Sequence, residues 1–208
     1  MPADQPEQTT ALMREYTAGP FSCVPGKSLL YVSDFDDEEM PDWKGLFSTT
    51  HSFDRYQGRG GVLAITPGNS DSRINFIETI ADVVVHFEML RETGDMDVAL
   101  EFLSSPFSRY SAGFTADTMF LDYQHDQEIQ EITAVPVPAP NGSQWEKVSV
   151  AFYKESISVW WNDQLLVQCD DPHDLPPGNL MLVVKGNGKL AMFDNLTICA
   201  LDAPYAPQ

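Results

Sequence analysis

Four ionisable side chains recur at alternate positions in two neighbouring apolar segments, and they are the strongest candidates for chemistry. His86 and Glu88 stand in VVVHFEMLR, and Asp97 and Glu101 stand in MDVALEF. Because successive side chains of a β-strand point to opposite faces, both pairs fall on the face that the apolar side chains leave. Carboxylates held about one strand apart can serve as general acid and general base at one bond. We expect Glu88 and Glu101 to form this pair, with Asp97 and His86 assisting.

The predicted positioning of these side chains depends on a hairpin whose loop is Glu92-Thr-Gly-Asp95. A loop of four residues pairs Arg91 with Met96 and thereby fixes the remaining register. The core face is then apolar, with Met89 opposite Val98, Phe87 opposite Leu100 and Val85 opposite Phe102. The other face places His86 opposite Glu101, Glu88 opposite Ala99 and Leu90 opposite Asp97. This ionisable face is either the lining of a hollow or the solvated outside of an acidic protein.

A second hairpin joins WEKVSVAFY to SISVWWN through Lys154-Glu155. Its register gives a core face of Val148 opposite Trp161, Val150 opposite Val159 and Phe152 opposite Ile157. Trp160 lies on the other face among small residues, where its ring can stack on a sugar ring or another flat apolar ligand unless an N-terminal segment or a loop covers it. The further candidates for ligand binding are Trp43, Tyr123, Tyr153 and Asn162.

The whole chain shows the pattern of an all-β protein. Short alternating apolar runs are separated by most of the 15 prolines and 13 glycines. We predict strands near 29–35, 45–53, 61–66, 73–78, 82–91, 95–103, 110–115, 118–124, 145–153, 156–162, 164–169, 178–184 and 189–199. Residues 134–144 are predicted to form a surface loop, because three prolines at a spacing of two forbid a central strand. A length of 208 residues favours one domain, and we place it at residues 29–200, between an extension of residues 1–28 and a tail of residues 201–208.

Composition limits the partners that this protein can have. Twelve basic and 31 acidic residues give a net charge of −19, which disfavours nucleic acid and anionic membrane surfaces. Neutral ligands, cations and metal ions remain open. The three cysteines allow one disulfide and one thiol, or three thiols, and no pair has the spacing of a zinc site. The first residues lack the features of a signal peptide, which predicts a cytoplasmic protein or a secreted form without its leader.

The chain from about residue 29 to residue 200 resembles the concanavalin A-like jelly rolls of the lectin/glucanase superfamily. The resemblance rests on Trp145 before a strand, the hairpin ISVWWNDQLLV, Gly178 before NLMLVV, and the closing strand FDNLTI at residues 193–198. The segment SDFDDEEMPDWKG followed by GGVLAI resembles the opening strands. The likeness is greatest for the stand-alone domains that include the keto-disaccharide hydrolases and the laminin-G-like modules. It implies a jelly-roll β-sandwich of two antiparallel sheets, one of them curved into a groove.

The same resemblance bears on activity and on metal binding. The glucanases of the superfamily carry Glu-x-Asp-x-Glu, whereas the run from Asp95 to Glu101 begins with Asp and places its last acid too far along, which argues against ordinary glucanase activity. In the resembling domains, an aspartate of the closing strand often helps to hold a structural calcium ion. Here that residue is Asp194, and Asp34 and Asp36 are its expected partners. The sequence indicates no organic cofactor.

Three functions follow as hypotheses. The first is a carbohydrate-directed domain that binds or hydrolyses a neutral glycan or glycoside in the groove of the curved sheet. The second is an enzyme of small-molecule metabolism, in which an acid in an apolar pocket promotes cyclisation or isomerisation. The third is a non-catalytic structural or interaction module. The shape of the site distinguishes them, since an open groove with exposed aromatics fits a glycan and a closed apolar cavity fits a metabolite. The oligomeric state is left open.

Overall fold

The computed structural model describes residues 28–46, 51–56, 59–68, 70–94, 96–105, 107–170, 177–186 and 188–206. Within these ranges no helix is long and apolar enough to cross a membrane. The strands in chain order are β1 Leu29–Ser33, β2 Trp43–Leu46, β3 His51–Arg55, β4 Gly61–Ile65, β5 Ser72–Phe76, β6 Val83–Arg91, β7 Asp97–Ser105, β8 Ser108–Phe114, β9 Thr118–His125, β10 Glu128–Pro136, β11 Glu146–Tyr153, β12 Ser156–Trp161, β13 Gln164–Asp170, β14 Asn179–Lys185 and β15 Ala191–Ala200.

The strands form two antiparallel sheets. The eight-stranded sheet has the order β13-β12-β11-β6-β15-β4-β3, and β1 also pairs with β15. The seven-stranded sheet has the order β10-β9-β8-β7-β14-β5-β2. This arrangement confirms the predicted all-β jelly-roll sandwich.

The core lies between the two sheets and follows the predicted alternation. Val85 and Phe87 of β6 and Leu100 and Phe102 of β7 all belong to one buried cluster. The rings of Phe102 and Phe152 stack with their centroids 4.8 Å apart and so join the two sheets. Full burial of a side chain of this size contributes about 2–3 kcal/mol, which is why the inward positions hold their apolar pattern.

The second predicted hairpin is confirmed residue by residue. β11 and β12 pair Val148 with Trp161, Val150 with Val159, and Phe152 with Ile157. The turn that follows β12 has positive φ angles at both Asn162 (48°) and Asp163 (65°), as a two-residue hairpin turn requires.

The first predicted hairpin is wrong, because β6 and β7 belong to different sheets. β6 pairs with β11 and β15, whereas β7 pairs with β8 and β14. The chain between Arg91 and Asp97 is long enough to bridge the roughly 10 Å between packed sheets. A short loop therefore permits either a hairpin or a crossing of the sandwich. Both strands are central. The partners of β6 lie far along the chain, and β7 pairs with the next strand, β8, and with the distant β14, an arrangement that local alternation does not specify.

Two differences from the predicted strands stand out. The strand predicted at 45–53 is two strands, β2 and β3, in different sheets. The other difference is β10, which was not predicted. It lies at the edge of the seven-stranded sheet and pairs only with β9 among the described strands. Most of its side chains are exposed, so it lacks the apolar alternation that marks a half-buried strand. Pro136 stands at its end, a position that an edge strand tolerates because no partner there needs its missing N–H group.

One buried arginine links the two sheets of the sandwich. Arg91 is fully buried and makes a two-pronged ion pair with Glu146, with N–O distances of 2.9 and 3.1 Å. Its Nη1 also donates to the carbonyl of Thr115, just after β8 in the other sheet. Cys199 on β15 is disulfide-bonded and Cys169 keeps its thiol, while Cys23 lies outside the described residues. This corresponds to the first of the two predicted cysteine states.

Candidate functional site

The four predicted catalytic residues are divided between the two outer surfaces of the molecule. All four do avoid the central core, as predicted from the alternation. His86 and Glu88 lie on the outward face of the eight-stranded sheet, and Asp97 and Glu101 lie on the outward face of the seven-stranded sheet. The predicted acid–base pair of Glu88 and Glu101 is therefore not assembled.

Glu88 belongs to a buried ion cluster on the eight-stranded sheet. It stands directly opposite Asp194 on β15, and Arg59 donates through Nη1 to both carboxylates, at 2.6 Å from Asp194 Oδ2. The guanidinium of Arg59 lies 4.1 Å from the ring centre of Trp145, and Asn195 Nδ2 donates to Glu88 at 2.8 Å. Burial raises the pKa of Asp194, and the hydrogen bond from Arg59 opposes that shift. We interpret this cluster as structural, because the carboxylates of Glu88 and Asp194 already have hydrogen-bond partners within the chain.

The predicted calcium ligands are engaged by groups of the chain itself. Asp194 is bound by Arg59, Asp36 accepts from the backbone N–H of Gly61, and Asp34 accepts from the backbone N–H of Asp36 at 3.2 Å. Within the described ranges there is no group of three or more His, Cys, Asp or Glu side chains that could hold a metal ion. This donor set fits an arginine better than a calcium ion, which needs six to eight oxygen ligands. The calcium site stays a prediction.

His86 lies under a strap formed by residues 201–206. Its Nδ1 is 2.8 Å from the hydroxyl of Ser149, and the ring of Tyr205 packs 5.2 Å from the imidazole. Burial lowers the pKa of His86 to about 4. Tyr205 also packs edge-on against Trp160 at 6.0 Å. Trp160 is thus covered, as one alternative expected, but by residues 201–206 near the C-terminus and not by an N-terminal segment.

The remaining predicted ligand-binding residues have structural contacts. Tyr153 is buried beside Leu201 and donates to the carbonyl of Asp202 at 2.8 Å. Tyr123 faces inward and packs on Tyr110, and Trp43 is part of the core. The side chain of Asn162 accepts from the N–H of Lys147 at 2.9 Å and so ties the end of β12 to β11. None of the four lines the groove described next.

Asp97 and Glu101 do line a hollow, a groove of about 400 Å³ on the outward face of the seven-stranded sheet. It is formed by β7 to β10 and by β14. Its lining residues are Asp97, Glu101, Arg109, Ser111, Thr115, Thr118, Phe120, Asp122, Gln124, Ile129, Glu131, Ala134 and Lys185.

Glu101 is a buried side chain of the groove with two ion-pair partners. It is 1% exposed, and its Oε2 lies 3.0 Å from Nη1 of Arg73 and 3.4 Å from Nε of Arg109. Arg73 also contacts Asp71 at 3.2 Å. Glu101 thus holds Arg109, which lines the groove, and Arg73 on β5.

A row of polar side chains crosses the groove at the level of Glu101. Cross-strand pairing sets Glu101 beside Ser111, Ser111 beside Asp122, and Asp122 beside Glu131. Ser111 is 8% exposed, and its hydroxyl has no hydrogen-bond partner among the described residues. Burial, together with the charge of Glu131, raises the pKa of Asp122, while Lys185 opposes the shift.

An apolar floor lies directly beside this row. Ala99, Met181 and Val183 form a buried cluster on the outward face, and the half-buried ring of Phe120 packs against it. The ring lies over Gly113, where a Cβ atom would collide with it. The missing side chain at Gly113 thus lets Phe120 lie close to the sheet.

Sequence reasoning missed most of this groove. Phe120, Asp122 and Ser111 alternate with inward residues in strands that were predicted, so their outward direction was available. What the alternation did not show is that β8 and β9 follow β7 in the sheet and that the unpredicted β10 completes it. The alternation within each strand predicts which face of the sheet a side chain lies on, and the long-range strand pairing determines which side chains become its neighbours.

No family model and no curated protein matches this sequence. Solved structures do match its fold. The carbohydrate-binding module CBM66 from Bacillus subtilis is 16% identical, with a TM-score of 0.59 over 76% of this chain and 96% of that chain. A Bacillus licheniformis β-glucanase is 10% identical, with a TM-score of 0.63 over 82% and 97%.

A family 16 glycoside hydrolase from Bacteroides ovatus, an endo-glucanase, gives a TM-score of 0.67 at 11% identity. The match covers 81% of this chain and 99% of that chain. At 10–16% sequence identity, the structural similarity establishes the fold, and the activity must be argued from the residues of the site. Together with the two antiparallel sheets, these matches confirm the resemblance deduced from the sequence: the chain has the concanavalin A-like jelly-roll fold.

Proposed function

We propose that this protein is a carbohydrate-binding domain and that its glycan lies in the groove of the seven-stranded sheet. One observation carries the proposal: the ring of Phe120, which packs on the buried apolar cluster of the outward face, lines the groove beside the polar row of Glu101, Ser111, Asp122 and Glu131. A sugar ring has an apolar face and a rim of hydroxyl groups. A groove with one apolar and one polar strip complements both, since aromatic rings supply contact area and polar groups fix orientation. The similar solved structures, a carbohydrate-binding module and glucanases, support this choice.

The arrangement of the acidic residues on β7 favours glycan binding as the function over glycan cleavage. Asp97, Ala99 and Glu101 occupy alternate outward positions, so the spacing of Glu-x-Asp-x-Glu is present after all, with alanine in the middle. A general acid must hold a proton to donate. Glu101 is ion-paired with Arg73 and Arg109 and is therefore suited to orienting those arginines rather than to protonating a leaving group.

The two other functions fit the groove less well. Cyclisation or isomerisation by an acid needs a closed apolar pocket, whereas this groove runs along the surface of a sheet and is lined largely by polar side chains. A structural or interaction module without a small ligand does not explain a buried serine hydroxyl without a partner on the groove floor. Buried polar groups are normally hydrogen-bonded, and a hydroxyl of the ligand would satisfy this one.

The test is glycan binding by the full chain and by a Phe120→Ala variant. A glycan array identifies a ligand, and isothermal titration calorimetry then gives its dissociation constant. Loss of the ring should weaken binding about 30-fold, as expected for about 2 kcal/mol of buried aromatic contact. Phe107→Ala is the matched control, because Phe107 is 64% exposed and lies outside the groove.

Circular dichroism melting verifies that both variants remain folded. Absence of binding to every glycan tested would overturn the proposal, and so would equal binding by the Phe120→Ala variant and the wild type.

A further inference from the structure

Two carboxylates of the groove face each other, and neither makes an ion pair with a cation among the residues that the structure describes. Asp122 on β9 and Glu131 on β10 are direct cross-strand partners, and like charges in that relation are destabilising. The coupling is felt at Asp122, whose pKa is raised by burial and by Glu131. A ligand with a positive charge would reduce the repulsion between these two carboxylates.

The cations of the groove are already shared with other acids. Arg73 and Arg109 both hold Glu101. Lys185 stands opposite Asp97, and its effect on Asp122 is outweighed by burial and by Glu131. The groove lining as a whole contains four acidic and two basic residues. An anionic sugar would therefore meet net repulsion, reinforced by the protein charge of −19.

A third group next to this acidic pair points to a bound ligand. Ser111 is the cross-strand neighbour of Asp122 on the other side, its side chain is more than nine-tenths buried, and its hydroxyl has no partner among the described residues. The Ser111 hydroxyl can donate to a ligand oxygen or accept from an ammonium group. The polar groups of Ser111, Asp122 and Glu131 lie in one row, where a single ligand can contact all three.

Resting on the proposed glycan-binding function, we infer that the preferred ligand is an amino sugar, whose ring lies on Phe120 and whose protonated amine is bound by Asp122 and Glu131. Phe120 and Asp122 are two residues apart on the same face of β9, a separation of about 7 Å that a sugar ring and its substituent can bridge. Ser111 adds a hydrogen bond to the same end of the ring. An amino sugar carries a positive charge and therefore departs from the neutral glycan predicted from the sequence.

The test compares two ligands that differ only at the nitrogen. Hexamers of glucosamine and of N-acetylglucosamine have the same length, and only the first carries ammonium groups. Calorimetry with the full chain at pH 6 and low salt should show at least tenfold tighter binding of the glucosamine hexamer, as expected for a charge-assisted hydrogen bond. Because the carboxylates must be ionised, this preference should shrink as the pH is lowered toward 4.

Matched variants separate the site from the overall charge. Asp122→Asn with Glu131→Gln removes two charges inside the groove and should abolish the tenfold preference. Asp126→Asn with Glu128→Gln removes two charges from exposed residues outside it and should keep the preference. The single variant Asp122→Asn, which should lose most of the preference, serves if the groove double variant melts at a much lower temperature.

Each outcome bears on a different claim. Equal binding of the two hexamers by the wild type, or tighter binding of the acetylated one, overturns the amino-sugar inference and leaves glycan binding standing. An equal loss of preference in both double variants shows a mere effect of net charge and also overturns the inference. Absence of binding to either hexamer overturns the inference. If the glycan array is empty as well, the proposed function falls with it.

Discussion

His86 should make the protein lose stability as the pH falls from neutrality, and the structure gives the size of the effect. The imidazole is 3% exposed, and two groups that contact it, Ser149 and Tyr205, carry no charge at neutral pH. Burial disfavours the protonated ring, and the pKa drops from 6.5 in the unfolded chain to about 4 in the folded one.

The sign follows from which state binds the proton. Below pH 6.5 the unfolded chain protonates His86, whereas the folded protein does not until about pH 4. Acid therefore favours unfolding, and the stability present above pH 6.5 is lost progressively down to about pH 4. A shift of this size corresponds to about 3 kcal/mol in the free energy of unfolding, with a slope of about 1.4 kcal/mol per pH unit.

Urea unfolding at several pH values between 7.5 and 4 measures this slope. Other groups also titrate over that range, so the informative quantity is the difference between the wild type and His86→Gln, whose amide can keep a hydrogen bond to Ser149. The variant should lack the contribution of about 3 kcal/mol. His125→Gln is the matched control, since the side chain of His125 is 62% exposed. If His86→Gln keeps the full acid slope while the protein stays two-state, the reasoning about burial is refuted.

Two further predictions concern the charged clusters. Glu101→Gln should destabilise the fold by about 2 kcal/mol, because it leaves Arg73 and Arg109 without their shared carboxylate. Thermal melting beside exposed Glu128→Gln measures this, and an unchanged melting temperature in Glu101→Gln would contradict it. Chelation with EDTA should leave the melting temperature unchanged, since Arg59 neutralises Asp194, whereas Arg59→Ala should lower the free energy of unfolding by about 2 kcal/mol. A fall of several degrees on chelation would instead establish the predicted calcium ion.

The sequence was most informative where the signal is local. Alternation along β6 and β7 correctly assigned inward and outward side chains, because the two-residue period of a strand is a property of the backbone itself. The hairpin of β11 and β12 was predicted with its register, since two central residues fix which positions face each other. The motifs around Trp145 and Phe193 were sufficient to indicate the jelly roll.

The sequence was less informative about residues whose surroundings come from distant segments. Trp160 looked accessible beside small neighbours, and Tyr205, 45 positions later, covers it. Asp194 looked like a metal ligand until Arg59 was found beside it. In each case the deciding contact joins residues far apart in the chain, and no local periodicity encodes it.

What the sequence by itself determined is therefore the fold class, the faces of the strands and the acidic character of the protein. The tertiary structure decided which acidic side chains share a surface. Glu88 and Glu101 lie on opposite sides of the sandwich, whereas Asp122 and Glu131 lie in one groove. The physical reason is that side-chain direction is set within a strand, while strand order is set by the packing of two whole sheets.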